Sequence, residues 1–488
     1  MHFVQPELHT RRAFLRRSSR LALAGTALPF ALNLAAIGEA AAFDATDYKA
    51  LVCVFMYGGN DYANTVVTYD DDSYNKYSTI RGGGAAQTAG GIALAKADLA
   101  ATLLNPTVAL PRLRQYALHP SMTGIAGLFN AGTAAVQLNV GPLVAPTTRA
   151  GYISADRRTN PLPPNLFSHN DQQSVWQSSS PEGSTVGWGG NLGDLALSSN
   201  ANSLFTCINV SGNAVFLSGD SALQYQIGSN SAVKINSVGN GVYGSNAVRD
   251  AMQQITRASS AQVLENEYNT VTRRSIDSEL LMTAALNANP ASNAPFNTFS
   301  ANNSLASQLR MVARIIASRS SLGNRRQVFF VSLGGFDNHD GVISNHVTNL
   351  GRVSSAMTEF YNATVALGVA SKVTAFTASD FGRTLASNGD GSDHGWGSHH
   401  LMVGGAVNSK AFYGSAPPVS VGNTAAAEDQ WHVGQGRLLP STAVDQYAAT
   451  LAKWFGVADS EISGISGILP NLSRFGGVNY PTNLGFMA

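Results

Sequence analysis

The sequence contains few charged residues, and its two charge signs nearly balance. Asp, Glu, Lys and Arg make up 12% of the 488 residues, against roughly 25% in an average domain. Residues 1–42 hold five arginines and two glutamates, so the rest of the chain carries a formal charge of −2. Such a chain has no basic surface for a phosphate backbone. The composition therefore argues against nucleic acid as a partner.

Cysteine is scarce, and one familiar catalytic motif is missing. Cys53 lies in the apolar run LVCVFM and Cys207 in LFTCINV, and there is no third cysteine. We expect two buried free thiols, because a disulfide would need the two strands to lie close together. No Gly-x-Ser-x-Gly surrounds Ser168, which argues against a serine hydrolase of the nucleophile-elbow type.

Apolar runs long enough to span a membrane are missing beyond residue 42. Within residues 1–42, the run TRRAFLR at 10–16 contains a twin-arginine pair, an apolar stretch follows at 21–37, and three alanines at 40–42 offer a cleavage site. The stretch is short and mild for a membrane anchor. We therefore interpret residues 1–42 as a twin-arginine signal peptide. It predicts passage through the twin-arginine translocase to a periplasmic or secreted location.

The remaining residues, 43–488, alternate between strand-like and helix-like patterns. Apolar strand-like runs occur at residues 50–57, 136–140, 328–333 and 373–377, and helical spacing occurs at residues 307–318 and 352–367. This alternation predicts an α/β fold with a doubly wound, mostly parallel sheet flanked by helices. The Ser-, Asn- and Gly-rich segment at about 200–305 reads as a smaller β/α insertion or cap.

Polar motifs follow three of the predicted strands. They are GGND at residues 58–61, FDNHD at 336–340 and SDFGRT at 379–384. The carboxyl ends of parallel strands meet at one edge of a sheet. We therefore expect the Asp and His side chains to converge as metal ligands, and Arg383 to hold an anion. The alternatives are turn or capping residues and structural ion pairs. The residues concerned are Asp61, Asp337, His339, Asp380 and Arg383.

A fourth motif, DHGWGSHH at residues 393–400, places three histidines within seven residues. Histidines so close together favour ligand or proton-transfer roles for at least one of His394, His399 and His400. His399 and His400 have an alternative role as core residues leading into the next strand. Which of the three points inward stays open at this stage.

Ser168 and His169 stand at the start of a predicted helix. Ser168 followed by Asp171 is typical of a helix-capping serine. The same position places a hydroxyl where free N–H groups and the helix dipole favour an anion. Ser168 is therefore also a candidate nucleophile, provided that a metal or base activates it.

Taken together, these motifs and the later run LLPSTAVDQYAATLAKWFGV resemble a bacterial family of twin-arginine-exported proteins with a domain of unknown function. That family looks like a branch of the alkaline phosphatase and sulfatase superfamily. The resemblance covers residues 48–475. It implies a metal site at the carboxyl ends of a parallel sheet. Asp61 matches the first acid, Ser168 the nucleophile, and one of His394, His399 and His400 the last histidine.

The resemblance also assigns Asp337 and His339 to an Asp/His ligand pair and Asp380 to the later acid. Two departures stand out: Phe381 follows Asp380 where alkaline phosphatases have a histidine, and Asp337 and His339 are more tightly spaced than their counterparts. No Cys-x-Pro-x-Arg motif is present, so formylglycine chemistry is not expected.

The leading hypothesis is an exported hydrolase of phosphate or sulfate esters that uses one or two divalent ions. Zn fits best, with Mn, Fe, Ca or Mg as alternatives. Its catalytic candidates are Ser168, His169 and Arg383, and its substrate is an anionic small molecule or polymer. The alternatives are a non-catalytic exported protein for binding or assembly in the cell envelope or extracellular matrix, and a metal-free serine esterase.

Overall fold

The computed structural model describes residues 43, 45–82, 91–235, 244–258, 260–463 and 467–488. The predicted signal peptide, residues 1–42, lies outside the described residues. The described chain builds a nine-stranded sheet and a separate two-stranded sheet. The strands are β1 (Lys49–Met56), β2 (Val66–Thr68), β3 (Tyr116–Leu118), β4 (Ala134–Gly141), β5 (Cys207–Asn209), β6 (Gln224–Gln226), β7 (Arg326–Leu333), β8 (Val373–Ser379), β9 (Ser398–Gly404), β10 (Phe412–Tyr413) and β11 (Thr442–Ala443).

The large sheet has the order β10-β4-β9-β8-β1-β7-β5-β6, and β11 also pairs with β4. β1 lies between β7 and β8 and is parallel to both, with Lys49 opposite Arg326 and Met56 opposite Leu333 and Ser379. Only β9 runs antiparallel to its neighbours β8 and β4. The two-stranded sheet pairs β2 with β3 in antiparallel register. The expected α/β fold with a mostly parallel sheet is confirmed.

Helices cover both faces of this sheet. The α-helices are α1 (Tyr62–Thr65), α2 (Asp71–Arg81), α3 (Thr123–Ala131), α4 (Arg149–Ile153), α5 (His169–Ser178), α6 (Trp188–Ala196), α7 (Asn246–Arg257), α8 (Val263–Ala288), α9 (Ser304–Ala317), α10 (Arg319–Leu322), α11 (Val342–Ala366), α12 (Val444–Phe455) and α13 (Asp459–Ile462). Short 3-10 helices occupy Lys96–Thr102, Pro111–Leu113, Pro120–Met122, Leu197–Ser199, Ser203–Phe205, Val215–Leu217, Phe296–Thr298, Ala370–Lys372, Ala427–Trp431 and Leu472–Arg474.

The core lies in two layers, one on each side of the sheet. Val52 and Val54 of β1 belong to the layer under α9 and α11, whereas Leu51 and Phe55 belong to the layer under α6 and α12. Successive side chains of a strand point to opposite faces, so a strand that is buried on both faces must be apolar at every position. This is why residues 50–57 read as one continuous apolar run.

The predicted secondary structure agrees with most of the observed elements. The four predicted strands correspond to β1, β4, β7 and β8, and the two predicted helices to α9 and α11. Cys53 and Cys207 are buried free thiols in β1 and β5, as expected. No helix of the described residues is long and apolar enough to cross a membrane.

The segment at about 200–305 is joined to the large sheet. Its β5 pairs in parallel with β7, and β6 extends the sheet by one more strand. The helices α7 and α8 pack against each other, and α8 also packs on α9 and α10. The segment is therefore an extension of one sheet edge. Its role as a cap that shapes a substrate pocket stays a prediction.

Candidate metal centre

Three loops meet at the carboxyl ends of β1, β7 and β8. Gly58 follows β1, and its backbone lies so close to the loop after β7 that a Cβ there would be 2.3 Å from the backbone nitrogen of Asp337. Its φ of +117° is likewise accessible mainly to glycine. A backbone bridge between Arg383 and His394 joins the loop after β8 to the segment before β9. Glycine at residue 58 thus allows the motifs to reach one place.

One carboxylate and three imidazoles converge at this edge of the sheet. Oδ1 of Asp337 lies 3.1 Å from Nε2 of His339 and 3.2 Å from Nε2 of His394. Oδ2 of Asp337 lies 3.4 Å from Nε2 of His169. The Nε2 atoms of His339 and His394 are 3.0 Å apart. Two ligands of a tetrahedral zinc ion with bonds of about 2.0–2.1 Å are separated by about 3.3 Å. The observed separations therefore suit a shared ion.

The opposite nitrogen of each imidazole is held by an oxygen. Nδ1 of His169 lies 2.7 Å from Oδ2 of Asp380, and Nδ1 of His394 lies 2.7 Å from the carbonyl oxygen of Phe167. Nδ1 of His339 lies 3.3 Å from Oδ1 of Asp393. An oxygen acceptor places the ring proton on Nδ1 and leaves the lone pair of Nε2 free to bind a metal. All three rings thus present the same kind of donor beside Asp337, and those of His169 and His394 share with Asp337 a group of ligand atoms within 4.8 Å of one another.

Asp380 is a supporting carboxylate. It is completely buried. Its Oδ1 accepts a hydrogen bond from the backbone N–H of Gly58 at 3.2 Å, and its Oδ2 accepts one from the side-chain amide of Gln173 at 2.7 Å. Gln173 lies four residues after His169 in α5, so the two side chains share one face of that helix. Asp380 and Gln173 together fix the orientation of the His169 ring.

Arg383 sets the charge of Asp337. Its Nη1 donates to Oδ1 of Asp337 at 2.6 Å and to the carbonyl of Gly58 at 3.2 Å. Although burial acts against the charged form, this hydrogen bond and the guanidinium charge hold the pKa of Asp337 below its usual range. Asp337 is therefore a carboxylate at neutral pH, which is the form that binds a cation.

His169 and His394 differ in how their surroundings change the pKa of the ring. The hydrogen bond to Asp380 raises the pKa of His169, against the effect of partial burial. Burial lowers the pKa of His394, and the charge of Arg383 lowers it further. The ring of Phe381 packs against both imidazoles, with centroid distances of 4.9 Å and 4.7 Å. Phe381 thus supplies an apolar wall where the resemblance implies a histidine.

The cluster is open to solvent. The side chains of His169, Asp337, His339 and His394 are 29%, 43%, 42% and 26% exposed. Structural zinc sites are closed, whereas catalytic ones keep a position for water or substrate. Ligand atoms of His169, Asp337 and His394 all lie within 4.8 Å of one another. The donor set, the distances and the exposure fit a metal ion that remains accessible.

The backbone before α5 is bent to complete the cluster. Phe167 has a φ of +75°, which is rare for a bulky residue. Its carbonyl oxygen accepts the hydrogen bond from His394, and its ring lies 5.3 Å from the guanidinium of Arg437. Unfavourable backbone conformations of this kind cluster at functional sites.

Asp61 is not brought to the cluster. Its side chain forms a buried ion pair with Arg81 at 2.9 Å and accepts hydrogen bonds from Ser392 and from the N–H groups of Ala63 and Asn64. Both of its oxygens are therefore already engaged. The structure gives Asp61 the helix-capping role that we considered as the alternative to metal binding, and adds an ion pair with Arg81.

His399 and His400 also lie outside the cluster. They occupy β9, where both are buried. Nδ1 of His399 accepts a hydrogen bond from the backbone N–H of Asn139, and the ring of His400 packs 5.0 Å from that of Trp176. Burial lowers the pKa of each to about 3. Of the three histidines in the motif, the structure brings His394 alone to the cluster and gives the other two the core role.

The catalytic candidates are placed differently from one another. His169 joins the cluster directly. Ser168 precedes α5, and its hydroxyl donates to Oδ2 of Asp171 at 2.8 Å. Arg383 is completely buried, with its donors directed at Asp337, Gly58 and Ser392. This placement supports Asp337 and does not offer the guanidinium to a substrate.

Sequence reasoning missed the residues that hold the imidazoles. Asp393 was part of a recognised motif but was not assigned a role, although it contacts His339. Gln173 could have been found from its spacing of one helical turn after His169. The carbonyl of Phe167 has no side-chain signal in the sequence, because a backbone oxygen is common to every residue.

A family model described as "Protein of unknown function (DUF1501)" matches residues 48–463. The chain belongs to this family, which confirms the expected membership of a family of unknown function. No curated protein matches the chain.

Three solved structures were compared with this chain. Ps i-CgsB, solved with k-i-k-neocarrahexaose, is 10% identical, with 90% of this chain and 78% of that chain covered and a TM-score of 0.33. The lipoteichoic acid synthase LtaP from Listeria monocytogenes is 9% identical, with coverage of 77% and 68% and a TM-score of 0.29. A Bacteroides thetaiotaomicron protein, reported under the metabolism of multiple glycosaminoglycans, is 9% identical, with coverage of 85% and 74% and a TM-score of 0.30.

Proposed function

We propose that this member of the DUF1501 family is a metal-dependent hydrolase of phosphate or sulfate esters. The observation that supports it is the meeting of three Nε2 atoms with the carboxylate of Asp337, while each Nδ1 is held by an oxygen. His169, Asp337, His339 and His394 would hold one divalent ion, and zinc suits this set of nitrogen and oxygen donors. A bound ion of this kind supplies Lewis-acid stabilisation of developing charge on oxygen.

The chain's own residues prepare the site for an anion. The exposed faces of the four ligand side chains leave room for a substrate oxygen. Helix α5 begins at His169, so its free N–H groups point toward the same edge of the sheet, where they favour negative charge. An ester that carries a phosphate or sulfate group matches this combination of cation ligands and helix N-terminus.

Ser168 is the proposed nucleophile. Its hydroxyl already donates a hydrogen bond to Asp171 at 2.8 Å, so the carboxylate is placed to accept the proton when the oxygen attacks phosphorus or sulfur and the bond to the ester oxygen breaks. The leaving oxygen takes a proton and departs as the alcohol, and water then cleaves the seryl ester and restores Ser168. The neighbouring residue, His169, belongs to the cluster, which keeps the hydroxyl at the same end of α5 as the candidate ligands. Asp171 is buried, whereas Ser168 is partly exposed, so the hydroxyl can be reached from solvent.

Elemental analysis of the folded protein, followed by activity assays, tests the proposal. We expect one zinc or similar ion per chain, together with hydrolysis of p-nitrophenyl phosphate or p-nitrophenyl sulfate. The variant Asp337→Ala/His339→Ala should lose both metal and activity, and Ser168→Ala should lose activity but keep the metal. The matched control is Asp340→Asn, which changes an exposed acid three residues after Asp337. It should keep both the metal content and the activity of the wild type.

Two outcomes would count against the proposal. Absence of bound metal after reloading with zinc, manganese or iron would contradict the proposed metal centre. Stoichiometric metal without turnover of either ester would be consistent with the metal centre but would contradict the hydrolase function.

One observation favours a second candidate function, a non-catalytic protein for binding or assembly in the envelope or extracellular matrix. Arg383 is buried against Asp337, so it offers no accessible guanidinium to hold an anionic substrate at the centre. A metal-loaded protein that turns over no ester, but whose biological role survives in Ser168→Ala, would support this candidate.

We also propose export of the folded protein by the twin-arginine translocase to the periplasm or beyond. The support is the Arg11-Arg12 pair with its apolar stretch and alanine cleavage site. Replacement by Arg11→Lys/Arg12→Lys should retain the full-length chain in the cytoplasm. An unchanged distribution between cell fractions would contradict the proposal.

A further inference from the structure

An open groove lies at the edge of the sheet opposite the candidate metal centre. Tyr48 directly precedes β1 and Arg325 directly precedes β7, whereas the centre follows the other ends of the same two strands. A parallel strand of eight residues spans about 26 Å, so the groove is a separate place. It has a volume of about 630 Å³. Its polar and aromatic lining comes from Tyr48, Ser198, Ser199, Arg319, Asn324 and Arg325.

The groove contains two guanidinium groups and no carboxylate. Among the described residues, neither Arg319 nor Arg325 forms an ion pair, and no Asp or Glu lines the groove. Asp47, which lies just before Tyr48, pairs instead with Arg326 and Lys372. Two arginines without an acidic partner create a positive potential in this concave surface. The charge of the groove therefore favours an anionic ligand.

The positions of Tyr48 and Arg319 are fixed before any ligand binds. The guanidinium of Arg319 lies over the Tyr48 ring at 5.4 Å from its centroid, and its Nη1 donates to the carbonyl of Ile316 at 3.1 Å. The hydroxyl of Tyr48 donates to the side chain of Gln327 at 2.8 Å. Groups that are already ordered lose less entropy when they bind. The remaining N–H donors of Arg319 would therefore meet a bound anion in a defined orientation.

Serine hydroxyls complete the lining. Ser198 and Ser320 are exposed and Ser199 is partly exposed, and all three lie along the groove. Hydroxyl groups both donate and accept hydrogen bonds, which matches the hydroxyls of a sugar. Sites for small apolar ligands are more enclosed and lined by hydrophobic side chains. An open groove with two arginines and several hydroxyls instead fits a hydrated chain that carries anions.

We propose that this groove binds a sugar chain that carries sulfate or phosphate groups, separately from the candidate metal centre. The arginines would hold the anionic groups through charge-assisted hydrogen bonds, for which the planar guanidinium is well suited. The serines would contact neighbouring hydroxyls. This inference does not rest on the proposed hydrolase, since it requires neither metal nor turnover.

Calorimetric titration of the purified full chain at about 0.15 M salt tests the proposal, because non-specific surface attraction is largely screened there. The probes are oligosaccharides of dextran sulfate, dextran phosphate and unmodified dextran, together with inorganic sulfate. We expect binding of one or both charged dextrans, none of neutral dextran, and much weaker binding of inorganic sulfate. Comparison of dextran sulfate with dextran phosphate identifies the preferred anion.

Matched variants separate the groove from general charge effects. Arg319→Gln/Arg325→Gln should weaken binding of the charged dextran at least about tenfold. Arg273→Gln/Arg274→Gln removes the same charge from exposed positions of α8 and should change affinity less than about threefold. Asp337→Ala, which targets the candidate metal centre, should leave the binding step of the groove intact and should remove only a second, metal-dependent binding step.

Three results would overturn the proposal. They are equal losses in the two arginine double variants, binding of neutral dextran as strong as that of the charged forms, and loss of the groove's binding step in Asp337→Ala. Circular dichroism and the unfolding transition of each variant would first establish that the fold is kept.

Discussion

The eight residues from Asp393 to His400 contain histidines in two contrasting environments. His394 lies in a loop, is 26% exposed and directs Nε2 at Asp337. His399 and His400 lie in β9, are at most 2% exposed, and pack among aromatic rings. Burial lowers the pKa of the latter two to about 3. The same residue type in the same short motif thus serves a candidate metal centre at one end and the core at the other.

The carboxylates show the same contrast. Asp337 is 43% exposed and has three imidazole nitrogens around it, whereas Asp61 is buried with its oxygens taken by Arg81, Ser392 and backbone N–H groups. Arg383 engages Oδ1 of Asp337, whose Oδ2 lies beside Nε2 of His169, whereas Arg81 engages both oxygens of Asp61. What separates the candidate ligand Asp337 from the structural residue Asp61 is the set of neighbours, not the position after a strand.

The largest expected effect is on metal content. It comes from comparing a substitution of His394 with a substitution of His399. His394→Ala should abolish metal binding, because it removes one of four converging donors, whereas His399→Asn should keep one ion per chain. Elemental analysis of both variants after gel filtration measures the difference. Loss of metal from His399→Asn, with the fold shown to be intact by circular dichroism, would contradict the assignment of His399 to the core and of His394 to the metal centre.

Asp61→Asn should destabilise the protein without removing the metal. Arg81 would remain buried without its charge partner, at a cost of about 3–5 kcal/mol in the free energy of unfolding. Urea unfolding measures the cost, and elemental analysis measures the metal. The control Asp72→Asn breaks the exposed pair with Lys76 and should cost at most about 0.5 kcal/mol. Loss of metal from folded Asp61→Asn would contradict this prediction and would indicate that Asp61 is a metal ligand.

A supporting residue should have an intermediate effect. Asp393→Asn weakens the hold on Nδ1 of His339 and should lower metal affinity about 10–100-fold without abolishing it. Competition with a chromophoric chelator measures the affinity, and Asp340→Asn serves as the exposed control. An unchanged affinity in Asp393→Asn would show that His339 needs no such support.

A further comparison of the two kinds of histidine concerns the pH dependence of stability. Burial lowers the pKa of His400 from 6.5 to about 3 in the folded chain. The unfolded chain therefore takes up a proton that the folded chain excludes. The free energy of unfolding should fall as pH falls from about 6.5 to about 3, by up to about 1.4 kcal/mol per pH unit for this residue.

His400→Gln removes that contribution, so its stability should vary less steeply with pH than that of the wild type. Urea unfolding at a series of pH values between 4 and 7 measures both slopes. The other buried histidines are present in both proteins and cancel in the comparison. Equal slopes would show that His400 does not titrate on unfolding.

Much of the fold was accessible from sequence patterns. β1, β7 and β8 are buried on both faces, so their apolar runs are continuous, and α9 and α11 repeat apolar residues at helical spacing. The attachment of β5 and β6 to the sheet was not predicted. These strands have three residues each, too few for a periodic pattern to emerge from a Ser- and Asn-rich segment.

The candidate site was predictable in part. Placement after parallel strands predicted that Asp337, His339 and Asp380 lie at one edge of the sheet, where Asp337 contacts His339 and Asp380 contacts His169. Interatomic distances were needed to distinguish a candidate ligand from a supporting residue. Asp380 contacts Nδ1 of His169, whereas Asp337 lies near Nε2 of the same ring. The position of Arg383 after β8 predicted that it would hold an anion. In the structure Arg383 is buried and donates a hydrogen bond to Asp337.

The sequence by itself determined the architecture and the edge of the sheet where polar side chains gather, because period, burial and glycine turns are local properties of the chain. Only the tertiary structure decided which His and Asp residues share one point in space. That choice depends on contacts between residues far apart in sequence, such as His169 with Asp380 and His394 with Phe167. The groove of Arg319 and Arg325 was likewise visible only once the chain was folded, because its walls come from three separate segments.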